Sequence, residues 1–156
     1  MAVGNSNNPP PRKGEKLFRG DLRDWINNAC LRQGDDYACR EGYRRAAQIL
    51  VEAVGEEERD QDFLVYPIVF LYRHYIELAL KDFIRRAPYL IDRELTTAER
   101  AHLGKYQLDL LWDDFKPIAP EINKVAGWDQ LPSEDVEGIQ DYIRQISEID
   151  LPCPKI

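Results

Sequence analysis

Apolar positions crowd most densely between Phe63 and Tyr72, and the period runs on to Arg86, so the pattern predicts a long helix over 62–86 that is apolar on nearly every side. Such a helix belongs at the centre of a bundle, where others surround it. Pro67 has to fall in its first turns or mark a bend, because deeper in a helix proline removes a backbone hydrogen bond, and Pro88 is expected to stop it. Upstream, Tyr37, Tyr43, Ala46, Ala47, Leu50, Val51 and Val54 fall on the inner side of a helix expected over 36–53, with Arg40, Arg44, Arg45 and Glu52 outside. Asp36 can cap its start, and Gly55 is its expected end. A shorter helix precedes it, carrying Leu22, Trp25, Ile26, Ala29 and Cys30 at helical spacing.

Downstream, Thr96 or Thr97 caps a further helix with Glu99 and Arg100 in its early turns. Leu103, Gln107, Leu110, Leu111, Trp112 and Phe115 continue the period, with an interruption at Gly104. Pro117 and Pro120 are expected to leave only a short turn over 118–125. A last helix starts at Ser133 and carries Val136, Ile139, Tyr142, Ile143, Ile146 and Ile149. No segment alternates as a strand, so the expected fold is an all-α bundle of about four to five main helices. Its expected extent is 21–150, after a Gly/Asn/Pro-rich flexible lead over 1–20 and before a short tail over 151–156.

Charge and cysteine content narrow the function classes. A net charge of −7 over 156 residues argues against general adhesion to nucleic acid, which needs a basic face. Local basic patches remain open at Arg40, Arg44 and Arg45 and at Arg85, Arg86 and Arg93. Cys30, Cys39 and Cys153 form no paired motif, which with no signal peptide at the start suggests unpaired thiols in a reducing cytoplasm. Cys39 is expected to be a small buried hydrophobe. The apolar run from Phe63 to Tyr72 is too short to cross a bilayer, so no membrane association is expected. Phosphate-binding Gly-rich loops and nucleophile motifs are absent from the sequence, and no cofactor is expected.

The chemistry sits on the central helix. Arg73, Glu77 and Lys81 follow one another at four-residue spacing, so Glu77 can reach both cations, and His74 lies one residue round from Arg73. One reading is a salt-bridge ladder on the wet side of the helix, worth a few tenths of a kcal/mol per pair. The other is a buried polar cluster or a subunit contact, favoured by the apolar density around it. Arginine can hold a phosphate through two bonds and histidine can exchange a proton near neutral pH, so Arg73 and His74 are the candidate catalytic residues of a metal-independent ribonuclease. His74 and Glu77 alone make a poor metal site beside the positive charge of Arg73, and no metal is expected.

These residues also carry a resemblance. Tyr66-Pro67-Ile68-Val69-Phe70-Leu71-Tyr72-Arg73-His74-Tyr75-Ile76-Glu77-Leu78-Ala79-Leu80-Lys81 is similar to the signature helix of bacterial HEPN-like proteins, roughly P-x-x-F-L-Y-R-H-x-x-E-L-x-L-K. Tyr106-Gln107-Leu108-Asp109-Leu110-Leu111-Trp112 resembles a second element of that group, roughly H-D-L-x-x-L-W, and Tyr43-x-x-Ala46-Ala47-x-x-Leu50 resembles the helix before the signature. The resemblance implies a HEPN-like helical bundle, often a homodimer, of a kind common in prokaryotic defence and toxin–antitoxin systems. Many members are ribonucleases using Arg, four to six intervening residues, then His. Here neither His74 nor His102 has an arginine at that distance upstream, and Tyr106 stands where the second element has histidine. The expectation is therefore a module that binds RNA, a nucleotide or a protein and is not an enzyme, with Arg73, His74, Glu77, Lys81 and Tyr106 as its binding residues. A ribonuclease using Arg73 and His74 and a purely structural dimeric scaffold are the alternatives. The proline-broken end at Leu151-Pro152-Cys153-Pro154 looks like a truncation point, since relatives of that group often continue there.

Overall fold

The helix that the apolar run predicts is longer at both ends than expected. In the computed structural model, which describes residues 36–57 and 59–149, it spans Gln61–Leu90 and is the second of six helices. The order is α1 (Asp36–Glu57), α2 (Gln61–Leu90), α3 (Thr97–His102), α4 (Leu108–Phe115), α5 (Ala119–Ala126) and α6 (Ser133–Ile149), with no strand among the described residues. The fold is all-α. The helix expected around Trp25 and the thiols of Cys30 and Cys153 lie outside the described residues.

Several boundaries differ from the sequence expectation for physical reasons. Pro88 lies inside α2 and does not stop it, since the chain continues to Leu90 and the Ile91 amide donates to the Ala87 carbonyl at 3.0 Å. The missing proline N–H costs one bond in the final turn, where few bonds remain to be made. The chain leaves the helix through Asp92, whose positive φ of 48° is a left-handed conformation that a short polar side chain tolerates. Gly55 does not end α1, which runs to Glu57; the reversal comes at Asp60, left-handed at φ 63°, whose carbonyl accepts the Phe63 and Leu64 amides and opens α2. Over 118–125 a full helix replaces the expected turn. Pro120 falls in the first turn of α5, where its fixed φ and missing N–H favour helix initiation, and Gly127, at φ 69°, terminates it.

The core is assembled by the second half of α2. Leu80, Ile84 and Ala87 pack with Leu108, Leu111 and Trp112 of α4, Ile118 and Ile122 at α5, and Ile143 of α6. Phe83 reaches the Phe115 ring at 5.4 Å and extends that contact. α1 takes α2 as its principal neighbour, and Arg40, expected outside, instead bonds Asp82 across the pair at 2.9 Å. On the outer side of α1, Tyr37 and Val51 are exposed despite their apolar register, and Cys39 is exposed too, which corrects the buried role expected for it. Glu41 bonds both Arg44 and Arg45 there, and the Arg44 contact, with Arg45 behind it, holds its carboxyl down to about 2. At 30 residues α2 meets the length and composition of a bilayer-crossing helix, beyond the shorter run seen in the sequence.

The start of α3 shows how one short helix is fixed. The Thr96 hydroxyl accepts the Glu99 amide at 3.2 Å, and Glu99 accepts the Thr96 amide at 2.7 Å, a reciprocal capping box. Arg93 then grips Glu99 with two bonds of 2.6 and 3.1 Å. Burial pushes the Glu99 carboxyl up, but the bonds from Arg93 and Thr96 outweigh it and hold the group below the usual carboxylate range. A carboxylate with a depressed folded-state pKa contributes stability above its unfolded pKa and loses it as pH falls through the folded one. Thr96→Ala is therefore expected to cost about 1 kcal/mol in urea denaturation at neutral pH. The loss should shrink in acid below the range where Glu99 ionises; a pH-independent loss would show that Glu99 takes no part in the cap.

Candidate functional site

α2 carries one continuous stripe at spacings of three and four residues: Phe63, Tyr66, Phe70, then Arg73 and His74, Glu77, Lys81 and Ile84. Its character changes along its length. The first three rings are 77%, 75% and 60% exposed, Glu77 is 1% exposed, and Ile84 is fully buried. The change falls where the connector between α3 and α4 reaches the helix.

At that boundary the predicted polar residues come together. Arg73 Nη1 donates to Glu77 Oε2 at 3.1 Å and Lys81 Nζ donates to Glu77 Oε1 at 2.7 Å, so each carboxylate oxygen holds one cation. Arg73 Nη2 also donates to the Tyr106 carbonyl, and Lys81 Nζ lies 4.9 Å from the centre of the Tyr106 ring. Arg73, Glu77 and Lys81 are all buried, so the set is the buried cluster of the two sequence alternatives and not a wet ladder. Burial is tolerable because the two cations share an anion and each finds a further contact in the same connector. The arrangement fastens residues 103–107, which form no helix, onto the middle of α2.

His74 stands beside this cluster with a different environment. Its Nδ1 is 3.7 Å from Glu77 Oε2, too far for a hydrogen bond. The ring stacks near-parallel on Phe70 at 6.0 Å and meets the Tyr43 ring edge-on at 4.5 Å. It is thus held by aromatic packing from both α1 and α2, partly open to solvent. The pair proposed for phosphate chemistry is therefore split: the Arg73 guanidinium faces Glu77 and Tyr106, while His74 faces aromatic rings.

Other polar pairs escaped the sequence reading. His102 Nδ1 lies 2.9 Å from Asp114 Oδ2, linking α3 to α4, and no periodicity connects residues at those positions. Asp82 accepts from Arg40 at 2.9 Å and from Arg86 at 2.6 Å, drawing one arginine from each of two separate expected basic patches into one ion-paired group. Two further patch residues, Arg85 and Arg93, border a cleft of about 470 Å³ at the end of α2, together with Arg100, Asp92 and Glu94. No cluster of three or more metal-ligating side chains occurs among the described residues. Comparison of the chain with protein-family models, curated proteins and solved structures yields no match.

Proposed function

We infer that the protein is a HEPN-like helical module that acts by binding, pairing with a second copy of itself through the aromatic stripe of α2. The observation that carries this reading is the exposure of Phe63, Tyr66 and Phe70 on the same face that is buried further along the helix. Three rings so exposed present about 400 Å² of apolar surface, and soluble proteins seldom leave patches of that size unless they mark an interaction site. A two-fold copy supplies an equal patch, and with the flanking Val65 a pair approaches the roughly 1,000 Å² at which specific interfaces begin.

A binding role also suits the polar cluster. Both cations of the cluster are engaged by Glu77, which favours a positioning role for Arg73 and Lys81 over a catalytic one. His74, at the edge of the stripe, is the member best placed to meet a partner, in keeping with an RNA or protein ligand of the kind the defence and toxin–antitoxin setting implies.

Sedimentation of the wild type and of Tyr66→Glu/Phe70→Glu tests this. A dimer at tens of micromolar that becomes a folded monomer in the double variant is the expected result. A wild-type monomer, or a dimer indifferent to the change, would remove the surface from consideration, and binding of the monomer to lipid vesicles would assign the stripe to a membrane instead. A parallel incubation with RNA oligonucleotides in chelator, with cleavage lost in His74→Ala, would replace the binding reading by the ribonuclease one.

A further inference from the structure

Phe63, Tyr66 and Phe70 follow a spacing of three and four that continues through Arg73, Glu77 and Ile84, so one seam runs along α2. Its second half is already occupied. The connector over 103–107 lies against Arg73 and Lys81 through the Tyr106 carbonyl and ring, and Leu80, Ile84 and Ala87 pack with α4, α5 and α6. The first half, with its three exposed rings, is open.

That asymmetry sets the direction of a partner helix. In a parallel pair the two seams face each other along their whole length, and the connectors and α4 helices of both copies compete for the same space beyond Phe70. In an antiparallel pair the covered half of each copy projects past the start of α2 in the other, and the clash disappears. The register follows from the same limit. The greatest ring overlap that keeps the other copy's connector beyond Asp60 sets Phe63 level with Phe70 of the second copy, with the two-fold axis between Tyr66 and Pro67.

The two ends of the open segment differ in charge. Asp60 and Asp62 are exposed where α2 begins, while at the covered end Lys105 is exposed beside Tyr106 and His74 is partly open to solvent. Neither Asp62 nor Lys105 forms an ion pair among the described residues. Reversing one copy brings the acidic end of each to the basic end of the other, whereas a parallel pair sets like beside like.

We propose, on the basis of the dimer reading above, that two copies join through an antiparallel α2 pair in which Lys105 and His74 of each copy lie beside Asp60 and Asp62 of the other. The second copy then takes, over the first half of α2, the place that the connector and α4 take over the second.

Disulfide trapping with diamide as oxidant tests the direction, in a chain carrying Cys30→Ser, Cys39→Ser and Cys153→Ser. Phe63→Cys mixed with Phe70→Cys is expected to link, because the register puts those positions level. Each variant alone is expected to stay unlinked although it loses the same number of rings. Its own counterpart then lies seven residues along the helix, about 10 Å away, and a disulfide spans at most about 7 Å between Cα atoms. Parallel pairing gives the reverse pattern. Sedimentation supplies a second measurement with the seam intact: Lys105→Glu and Asp62→Lys are each expected to weaken the homodimer about fivefold, and an equal mixture of the two to recover wild-type affinity, since only their heterodimer opposes unlike charges at both edges. A wild-type monomer at tens of micromolar would remove the dimer and this arrangement with it. A dimer in which either single cysteine variant links to itself as readily as the mixture does, or in which mixing the charge variants recovers nothing, would overturn the antiparallel arrangement and leave the dimer standing.

Discussion

Glu77→Ala is expected to destabilise the fold by about 3–5 kcal/mol, the range for removing one partner of a buried ion pair. The carboxylate is 1% exposed, and its neighbours Arg73 and Lys81 are themselves buried, so deletion leaves two cations facing each other with little access to water. The penalty belongs to the charges left behind and not to the bonds lost. Replacing the whole set by apolar residues, Arg73→Met with Glu77→Leu and Lys81→Met, should therefore cost far less than the single change, since buried ion pairs are often replaceable by well-packed hydrophobes. Urea denaturation monitored by helicity distinguishes the cases. A loss below about 1 kcal/mol in Glu77→Ala would mean that water reaches the cations and the cluster is a surface feature.

The second large effect contrasts the two ends of α2. Ile84→Ala should cost about 2–5 kcal/mol, because the side chain is fully buried among residues of α4 and α5 and its removal leaves a cavity. Phe63→Ala, on the same stripe in the first turn of α2, should change monomer stability by no more than about 0.5 kcal/mol, since that ring is 77% exposed. Thermal or urea melts at low protein concentration measure both. Comparable losses at the two positions would show that the stripe is covered along its whole length in solution.

The sequence was most legible where one periodicity dominates. The apolar density of α2, the capping threonine and glutamate of α3, the interruption near Gly104 and the isoleucine spacing of α6 each reflect local rules of helix formation, and each corresponds to a structural feature. The grouping of Arg73, Glu77 and Lys81 was legible for the same reason, as a four-residue repeat. Its contact with Tyr106, suggested as a partner by the family-like second element, takes a form no motif specifies: the backbone carbonyl accepts from Arg73, and the ring lies beside Lys81.

What remained hidden depends on packing between elements distant in the chain. Arg40 looks like a surface residue until α1 lies against α2 and brings it to Asp82, forty-two positions away. Tyr37 and Val51 look inward by register, yet both are exposed. Pro120 looks like a breaker because its effect depends on where the helix starts: in a first turn it initiates, and in an interior it interrupts.

The fastening of the Tyr106 connector by Arg73, Glu77 and Lys81 has a consequence for cooperativity. On one side of it, α2 is locked into a core shared with α4, α5 and α6; on the other, its principal support is α1. A helix supported mainly by one neighbour among the described residues can open without dissolving the rest, so the hairpin of α1 with the start of α2 forms a lower-stability unit than the remainder. The polar clasp sits at the border between them, and it is there that a local opening would halt before becoming global unfolding.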